Sequence, residues 1–209
     1  MKALEMLISR LVVASVFPML LFLAGWWASI GQVPDERIAL GALAGLVAGV
    51  LVDVVCFRKQ IAKPYEVSHR VLVLIFLFYS ICTLGFFMGV PVFNLLFGAA
   101  AGFYAGRRLR YTGADRTEAT RSIKLVSMLA AAVMAAVCFG SAYIALRDPT
   151  DTARNLQGML SIRSFEVTPW AVGGLIAVGG PALILVQYVI TKAGAEMAYG
   201  RPKPTSPIR

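Results

Sequence analysis

Long apolar runs separated by short polar segments dominate the chain. A helix rises about 1.5 Å per residue and the hydrocarbon core of a membrane is about 30 Å thick, so a spanning helix needs roughly 20 apolar residues. The pattern therefore predicts an all-α, polytopic integral membrane protein with six transmembrane helices in a compact bundle. The predicted spans are residues 11–30, 37–57, 70–88, 91–107, 124–146 and 167–191.

The apolar stretch 71–106 is too long for one span. It has no charged residue over 36 positions, and as a single helix it would be about 54 Å long. Gly89, Val90 and Pro91 provide the break, because proline lacks an amide donor, restricts the residue before it and suits the first turn of a new helix. We expect a tight hairpin between the third and fourth spans.

The sequence also allows predictions for the two ends of the chain. A cleavable signal peptide is the alternative for the first 30 residues, but the apolar run is longer than the usual stretch of about 7–15 residues and no Ala-x-Ala site follows it. We therefore expect the first span to stay in the membrane. Residues 1–209 are predicted to form a single membrane domain, with 192–209 as a flexible, basic cytoplasmic tail.

The chain also matches itself at an offset of 57 residues. Pro34 and the glycine-rich run 41–49 correspond to Pro91 and the run 98–106, and the spacing from proline to the first glycine is seven in both copies. Spans two and four point the same way in the predicted topology. The repeat is therefore interpreted as a parallel duplication of two-helix hairpins.

Each copy has three glycines at i, i+4 and i+8, which leave a groove without side chains along one helix face. Small residues let lipid-embedded helices approach closely, so we expect these faces to pack inside the bundle; the alternative is that they allow helices to slide in a transport cycle. A similar stripe lies in span five at Ala132, Ala136 and Gly140. The glycines of the two copies are Gly41, Gly45, Gly49, Gly98, Gly102 and Gly106.

Composition excludes a soluble globular enzyme. Apolar residues make up 58% of the chain and charged residues only 15%, whereas a soluble domain has about 25% charged residues. The net charge is +9, and with six spans 16 of the 20 Lys and Arg residues lie on the side that holds both termini. Because cytoplasmic loops have this excess, the predicted location is a cell inner (plasma) membrane, multi-pass, with cytoplasmic N- and C-termini.

The distribution of the basic residues also limits the partners. They line one membrane face and are not interleaved with stacking aromatic residues, so we expect the lipid bilayer and anionic lipids at the cytoplasmic face as partners, and no nucleic acid. The loop 107–121 is a candidate segment for docking a cytoplasmic partner, and a membrane protein partner is also possible. A homo-oligomer is the other assembly left open.

Asp53 is the one acidic residue inside a predicted span, and the basic residues of the spans lie at their first or last positions. Placing a carboxylate in the membrane is costly, so such a residue is by default a functional hypothesis. One interpretation is a structural ion pair with Arg107 or Arg110, because the repeat offset relates Asp53 to Arg110. The alternatives are an intramembrane proton or cation site and a solvated helix end.

Uncharged polar residues provide the other candidate chemistry. The candidate cavity groups are Thr83, Asn94, Tyr104 and Gln187, with Tyr79 and Ser80 nearby in the sequence. The alternatives are that an asparagine near a helix start satisfies free amides and that tyrosines near an interface belong to an aromatic belt.

No familiar catalytic or cofactor motif is present. The three cysteines lie in different spans without a CxxC pair, and the single histidine, His69, excludes bis-histidine haem ligation within the chain. The sequence has no P-loop, dinucleotide fingerprint, GxSxG or HExxH motif. We therefore expect no cofactor, no metal site and no enzymatic activity.

The favoured function is that of a transport protein or the membrane-embedded substrate-binding subunit of a transporter. In size, helix number, topology and the run 41–49, the chain loosely resembles the substrate-binding subunits of energy-coupling factor transporters, although it has no diagnostic motif of that family. The resemblance implies capture of a small substrate within the membrane. The alternative is a non-catalytic structural or assembly subunit of a larger membrane protein complex.

Overall fold

The computed structural model describes residue 7 and residues 10–57, 63–86, 89–159 and 166–201, and in these residues every regular element is helical. A helical stretch at 10–14 precedes α1, a π-helical turn continues α2, and short 3-10 turns precede α3 and α4. The all-helical prediction is confirmed for the described residues. The helices are α1 (Val16–Ser29), α2 (Asp35–Val52), α3 (His69–Phe86), α4 (Asn94–Thr112), α5 (Arg116–Arg147), α6 (Pro149–Met159) and α7 (Pro169–Tyr199).

Five of these helices, with their flanking turns, are long and apolar enough to cross a membrane. Large apolar side chains on them are exposed; Trp27, Phe86 and Trp170, for example, are 72%, 82% and 90% exposed. A lipid-facing surface needs such residues, so these helices have the properties expected of a membrane protein. The five segments are Arg10–Ser29, Glu36–Val55, His69–Phe86, Arg116–Arg147 and Pro169–Tyr199.

The predicted fourth span corresponds to α4, which is not among the five. The apolar part of α4 runs only from Asn94 to Gly106, about 20 Å of helix, before the arginines of its last turns begin. That length is roughly two thirds of a hydrocarbon core. The six-span topology therefore stays a prediction.

The break predicted within 71–106 is present. α3 ends at Phe86, Gly89 has a positive φ of 84°, and Pro91 begins the 3-10 turn that leads into α4. Glycine adopts this left-handed conformation without the steric cost of a Cβ. The two helices then fold back on each other, because the rings of Tyr79 and Phe97 are stacked with centroids 5.6 Å apart.

The contacts divide the chain into two compact units. Among the described residues, those up to Ile75 form the first unit and those from Phe76 onward form the second. The single membrane domain expected from the sequence stays a prediction, and the two units are described one at a time below.

In the first unit, α1 and α2 pack as an antiparallel pair. The glycine face of α2 lies directly on the backbone of α1: a Cβ on Gly45 would overlap the carbonyl oxygen of Leu21, and one on Gly49 would overlap the Cα of Pro18. Gly41 packs on the same helix, near its C-terminal end. The absence of side chains on this face allows the two backbones to touch.

In the second unit, α4 packs mainly on α7, and α5 packs on both. A Cβ on Gly102 would overlap the carbonyl oxygen of Thr191, and one on Gly106 would overlap that of Ala195. Residue numbers rise together along the two helices, so α4 and α7 run parallel. Both glycine faces thus allow close helix packing, but their partners differ: α2 packs on α1, its neighbour in the hairpin, and α4 packs on α7. The duplicated hairpins stay a prediction.

The packing face of α5 is not the one that its small residues suggest. Ala132 and Ala136, which form part of the predicted stripe with Gly140, are exposed. The buried side chains lie on another side of the helix and include both small and large residues. They are Ala119, Ile123, Ser127, Ala130, Met134 and Val137.

The last helix is longer than the predicted sixth span. α7 continues to Tyr199, so residues 192–199, which the sequence assigned to a flexible tail, are helical. Lys192 and Glu196 support the added turns as an i,i+4 pair with 3.9 Å between Nζ and Oε1. The remainder of the predicted tail, 202–209, lies outside the described residues.

Candidate functional site

Five buried polar side chains lie on α3, α4 and α7 of the second unit, and we call them the polar cluster. Their exposed fractions are between 0% and 7%, as low as those of the apolar core. Buried polar groups need hydrogen-bond partners, because water is not there to replace them. The members of the polar cluster are Ser80, Thr83, Asn94, Gln187 and Thr191.

The parallel packing of α4 on α7 brings two of these residues to Gly98. A Cβ on Gly98 would overlap Nε2 of Gln187 and would lie 2.8 Å from Oγ1 of Thr191. Asn94 is one helical turn before Gly98 and therefore on the same face of α4. The glycine thus provides the space in which a long polar side chain of α7 lies against α4.

The hairpin between α3 and α4 adds the remaining members. Nδ2 of Asn94 donates a hydrogen bond of 3.4 Å to the backbone oxygen of Ser80, in a buried environment. Thr83 lies three residues further along α3 and is also buried. The side chain of Asn94 consequently joins α3 to the α4–α7 interface.

Four oxygen atoms of the polar cluster are buried and have no hydrogen-bond partner among the described residues. They are Oγ of Ser80, Oδ1 of Asn94, Oε1 of Gln187 and Oγ1 of Thr191. An unsatisfied buried polar group costs about 1–3 kcal/mol. Four such atoms in one region form a set of acceptors, two of them hydroxyls that can also donate, which a bound polar molecule would satisfy.

The tip of the α3–α4 hairpin does not reach the end of the bundle. Because Gly98 lies beside Gln187 in a parallel pair, Pro91 is about level with Pro181, and α7 extends about 18 Å beyond that level to its first residue. The Ser141 hydroxyl of α5 donates to the backbone oxygen of Gly89 at the tip, and α5 continues about 9 Å further. The hairpin tip therefore lies inside the second unit, and the polar cluster lies within a few helical turns of it.

The amphipathic helix α6 lies at the same end, where it joins α5 to α7 and packs on both. Thr152 donates a 3.0 Å hydrogen bond to the backbone oxygen of Ala145, and the amide of Val167 donates a 3.2 Å bond to the side chain of Gln157. These contacts tie α6 to the ends of both long helices.

The structure therefore brings together three of the four predicted cavity residues. Thr83, Asn94 and Gln187 belong to the polar cluster, whereas Tyr104 lies on α4 with a half-buried side chain. Thr191 was missed, because the sequence placed it at the very end of a span, beside Lys192. Its position one turn after Gln187 is the signal that would have found it.

Asp53 belongs to the first unit, where it begins the π-helical turn Asp53–Phe57. It is 4% exposed, and neither carboxylate oxygen has a hydrogen-bond partner among the described residues. π-Helical turns inside α-helices occur often at functional sites. Arg107 and Arg110 belong to the second unit, so the predicted ion pair stays a prediction.

The arginines of α4 lie where this helix ends beside the end of α7. Arg107 is buried, at 3% exposed, whereas the guanidinium carbon of Arg110 lies 6.0 Å from the centre of the Tyr199 ring. The Tyr199 hydroxyl donates a 2.9 Å hydrogen bond to the backbone oxygen of Ala114, and Arg201 lies over the ring of Phe103. Aromatic faces thus hold exposed guanidinium groups at this end of the second unit.

Comparison of the chain with protein-family models, with curated proteins and with solved structures found no significant match.

Proposed function

We propose that this protein is a small transport protein, or the membrane-embedded substrate-binding subunit of a transporter, and that the polar cluster binds its solute. The observation that supports this proposal is the group of four buried oxygen atoms without hydrogen-bond partners on α3, α4 and α7. A bundle that only packs would place apolar side chains here, since each unpaired polar group opposes folding.

The shape of the α3–α4 hairpin supports the same proposal. Membrane transporters often bind their solutes beside discontinuous or shortened helices, near the midplane of the bilayer. The apolar part of α4 is short and begins inside the second unit, and Asn94 is the first residue of the helix. Pro181 lies inside α7 at about the same level, and a Cβ on the preceding Gly180 would meet nothing within 4 Å.

The proposed arrangement in the membrane has six spans, built from duplicated hairpins, with both termini in the cytoplasm of a cell with an inner membrane. The parallel packing of α4 and α7 supports it, because spans four and six must point the same way. The positive-inside rule then puts the end of α4 at the cytoplasmic face, where anionic lipids interact with the exposed Arg110 and Arg201.

A structural subunit of a larger complex is the competing function. The glycine faces of α2 and α4 do not support it, because both are occupied within the chain, by α1 and by α7. The remaining support for this alternative is the basic segment 107–121, which is not a loop but comprises the end of α4, the turn at 113–115 and the start of α5. We therefore favour solute binding.

Native mass spectrometry of the full chain, purified in a mild detergent, tests the proposal. We expect a small molecule to be retained by the wild-type protein and lost from the Asn94→Leu/Gln187→Leu variant. The matched control is Gln32→Leu, which makes the same change at an exposed position between α1 and α2. Retention by the double variant, or purification only with other membrane subunits, would contradict solute binding.

A further inference from the structure

Resting on the proposed solute-binding function, we infer that the ligand of the polar cluster is a small uncharged molecule that donates hydrogen bonds, of the amide or polyol class. The first argument for this ligand class comes from the hydrogen-bonding capacity of the unpaired atoms. Oδ1 of Asn94 and Oε1 of Gln187 can only accept, so a ligand that satisfies them has N–H or O–H donors. The hydroxyls of Ser80 and Thr191 can accept or donate, and so they match either kind of group on the same ligand.

The charges of the second unit argue against an ionic ligand. None of the five cluster members is ionisable. Arg107 is 13 residues beyond Asn94 along α4, about 20 Å, and five residues beyond Gly102, which packs on Thr191, so it lies about 8 Å along the helix axis from that end of the cluster. Lys192 follows Thr191 directly, but its side chain is 47% exposed and it pairs with Glu196. A cation among these oxygen atoms would have no carboxylate of the cluster to offset its desolvation, and an anion would meet two amide oxygens that can only accept.

The helix ends do not supply the missing charge either. A helix N-terminus has a partial positive charge and a C-terminus a partial negative one. α3 ends and α4 begins at the same hairpin tip, so the two partial charges lie side by side and largely cancel. The site therefore offers hydrogen bonds without a net field, which suits a neutral polar molecule.

Thermal unfolding of the detergent-solubilised full chain, followed by tryptophan fluorescence, tests this inference. The wild type and the Gln187→Leu variant are titrated in parallel with acetamide, glycerol, NaCl and KCl at matched osmolality. The Tm shift of the variant is subtracted from that of the wild type. The difference excludes general solvent effects, which both proteins share. We expect acetamide or glycerol to raise the Tm of the wild type selectively, by roughly 3 °C at ten times its Kd.

Thr191→Val is a second variant, which keeps the experiment decisive if Gln187→Leu fails to fold. Its control is Thr120→Val, which removes an exposed hydroxyl. The inference is overturned if the selective shift follows Na⁺ or K⁺, a result that leaves the proposed function in place with an ionic solute. It is also overturned if none of the four solutes acts selectively. The proposed function fails as well only if the mass spectrometry finds no ligand that depends on the polar cluster.

Discussion

The side-chain amide of Gln187 occupies the space that a Cβ on Gly98 would need. Gln187 is 1% exposed, so it cannot move into solvent without breaking the contact between α7 and α4. The buried polar side chain and the glycine thus depend on each other. A polar group from one helix can lie against a neighbouring backbone only where that neighbour has no side chain.

Gly98→Ala should therefore destabilise the protein by about 1–3 kcal/mol, the usual cost of overpacking. The added methyl group displaces the Gln187 side chain. Shortening that side chain removes the clash, so Gly98→Ala combined with Gln187→Ala should lose less stability than the sum of the single changes. Thermal unfolding in detergent measures the coupling as a double-mutant cycle.

Two further alanine substitutions serve as controls for this cycle. A Cβ on Gly102 meets the backbone of Thr191, so Gly102→Ala should destabilise without rescue by Thr191→Ala. A Cβ on Gly85 meets nothing within 4 Å, so Gly85→Ala should be neutral or stabilising by up to about 1 kcal/mol. Simple additivity of Gly98→Ala and Gln187→Ala would contradict the contact.

The α1–α2 pair of the first unit gives a second prediction. Gly45→Ala should destabilise the protein by about 1–3 kcal/mol, because its methyl group meets the backbone of Leu21 and no side chain can yield. Gly41 faces the hydroxyl of Ser29 instead, so Ser29→Ala should recover much of the loss caused by Gly41→Ala. If Ser29→Ala rescued both glycine variants equally, the specific contact between Gly41 and Ser29 would be wrong.

The sequence predicted those features that depend on local chemistry. Gly89 and Pro91 break the helix because of their own backbone preferences, and glycines four residues apart form a smooth face on any helix. The identity of the partner is a different matter. Gly45 and Gly102 occupy matching places in the repeat, yet one packs on α1 and the other on α7, because partner choice depends on how all the helices fit together.

The candidate site could be predicted only in part for a similar reason. Asn94 and Gln187 are conspicuous in an apolar sequence, whereas Thr191 lies beside Lys192, where hydropathy ends the span. The stripe with Ala132 and Ala136 failed because small residues permit a close approach without requiring it. The buried face of α5 instead includes Ala130 as well as Met134, so it is decided by where α4 and α7 lie and not by the size of its residues.

Asp53 gives a third prediction. Its buried carboxylate has no hydrogen-bond partner among the described residues, so Asp53→Asn should stabilise the first unit or leave it unchanged by removing a buried charge. Thermal unfolding in detergent measures the change, with Asp148→Asn at an exposed helix start as the control. A loss of about 3–5 kcal/mol would instead indicate an ion pair with Arg107 or Arg110. Exchanging the charges of such a pair should then restore stability.

The hydroxyls of the polar cluster provide the last prediction, a trade-off between stability and ligand binding. Thr191→Val and Ser80→Ala remove unpaired buried oxygen atoms with little change of shape, so each should stabilise the ligand-free protein by about 1 kcal/mol. The same variants should lose the small molecule retained in native mass spectrometry, since stabilising changes at a binding site commonly reduce function. Thr120→Val, at a hydroxyl that donates to the Arg116 carbonyl on the exposed side of α5, should change neither property. A loss of stability in Thr191→Val would mean that this hydroxyl is already satisfied in the ligand-free protein, in which case the polar cluster would be a structural network rather than a binding site.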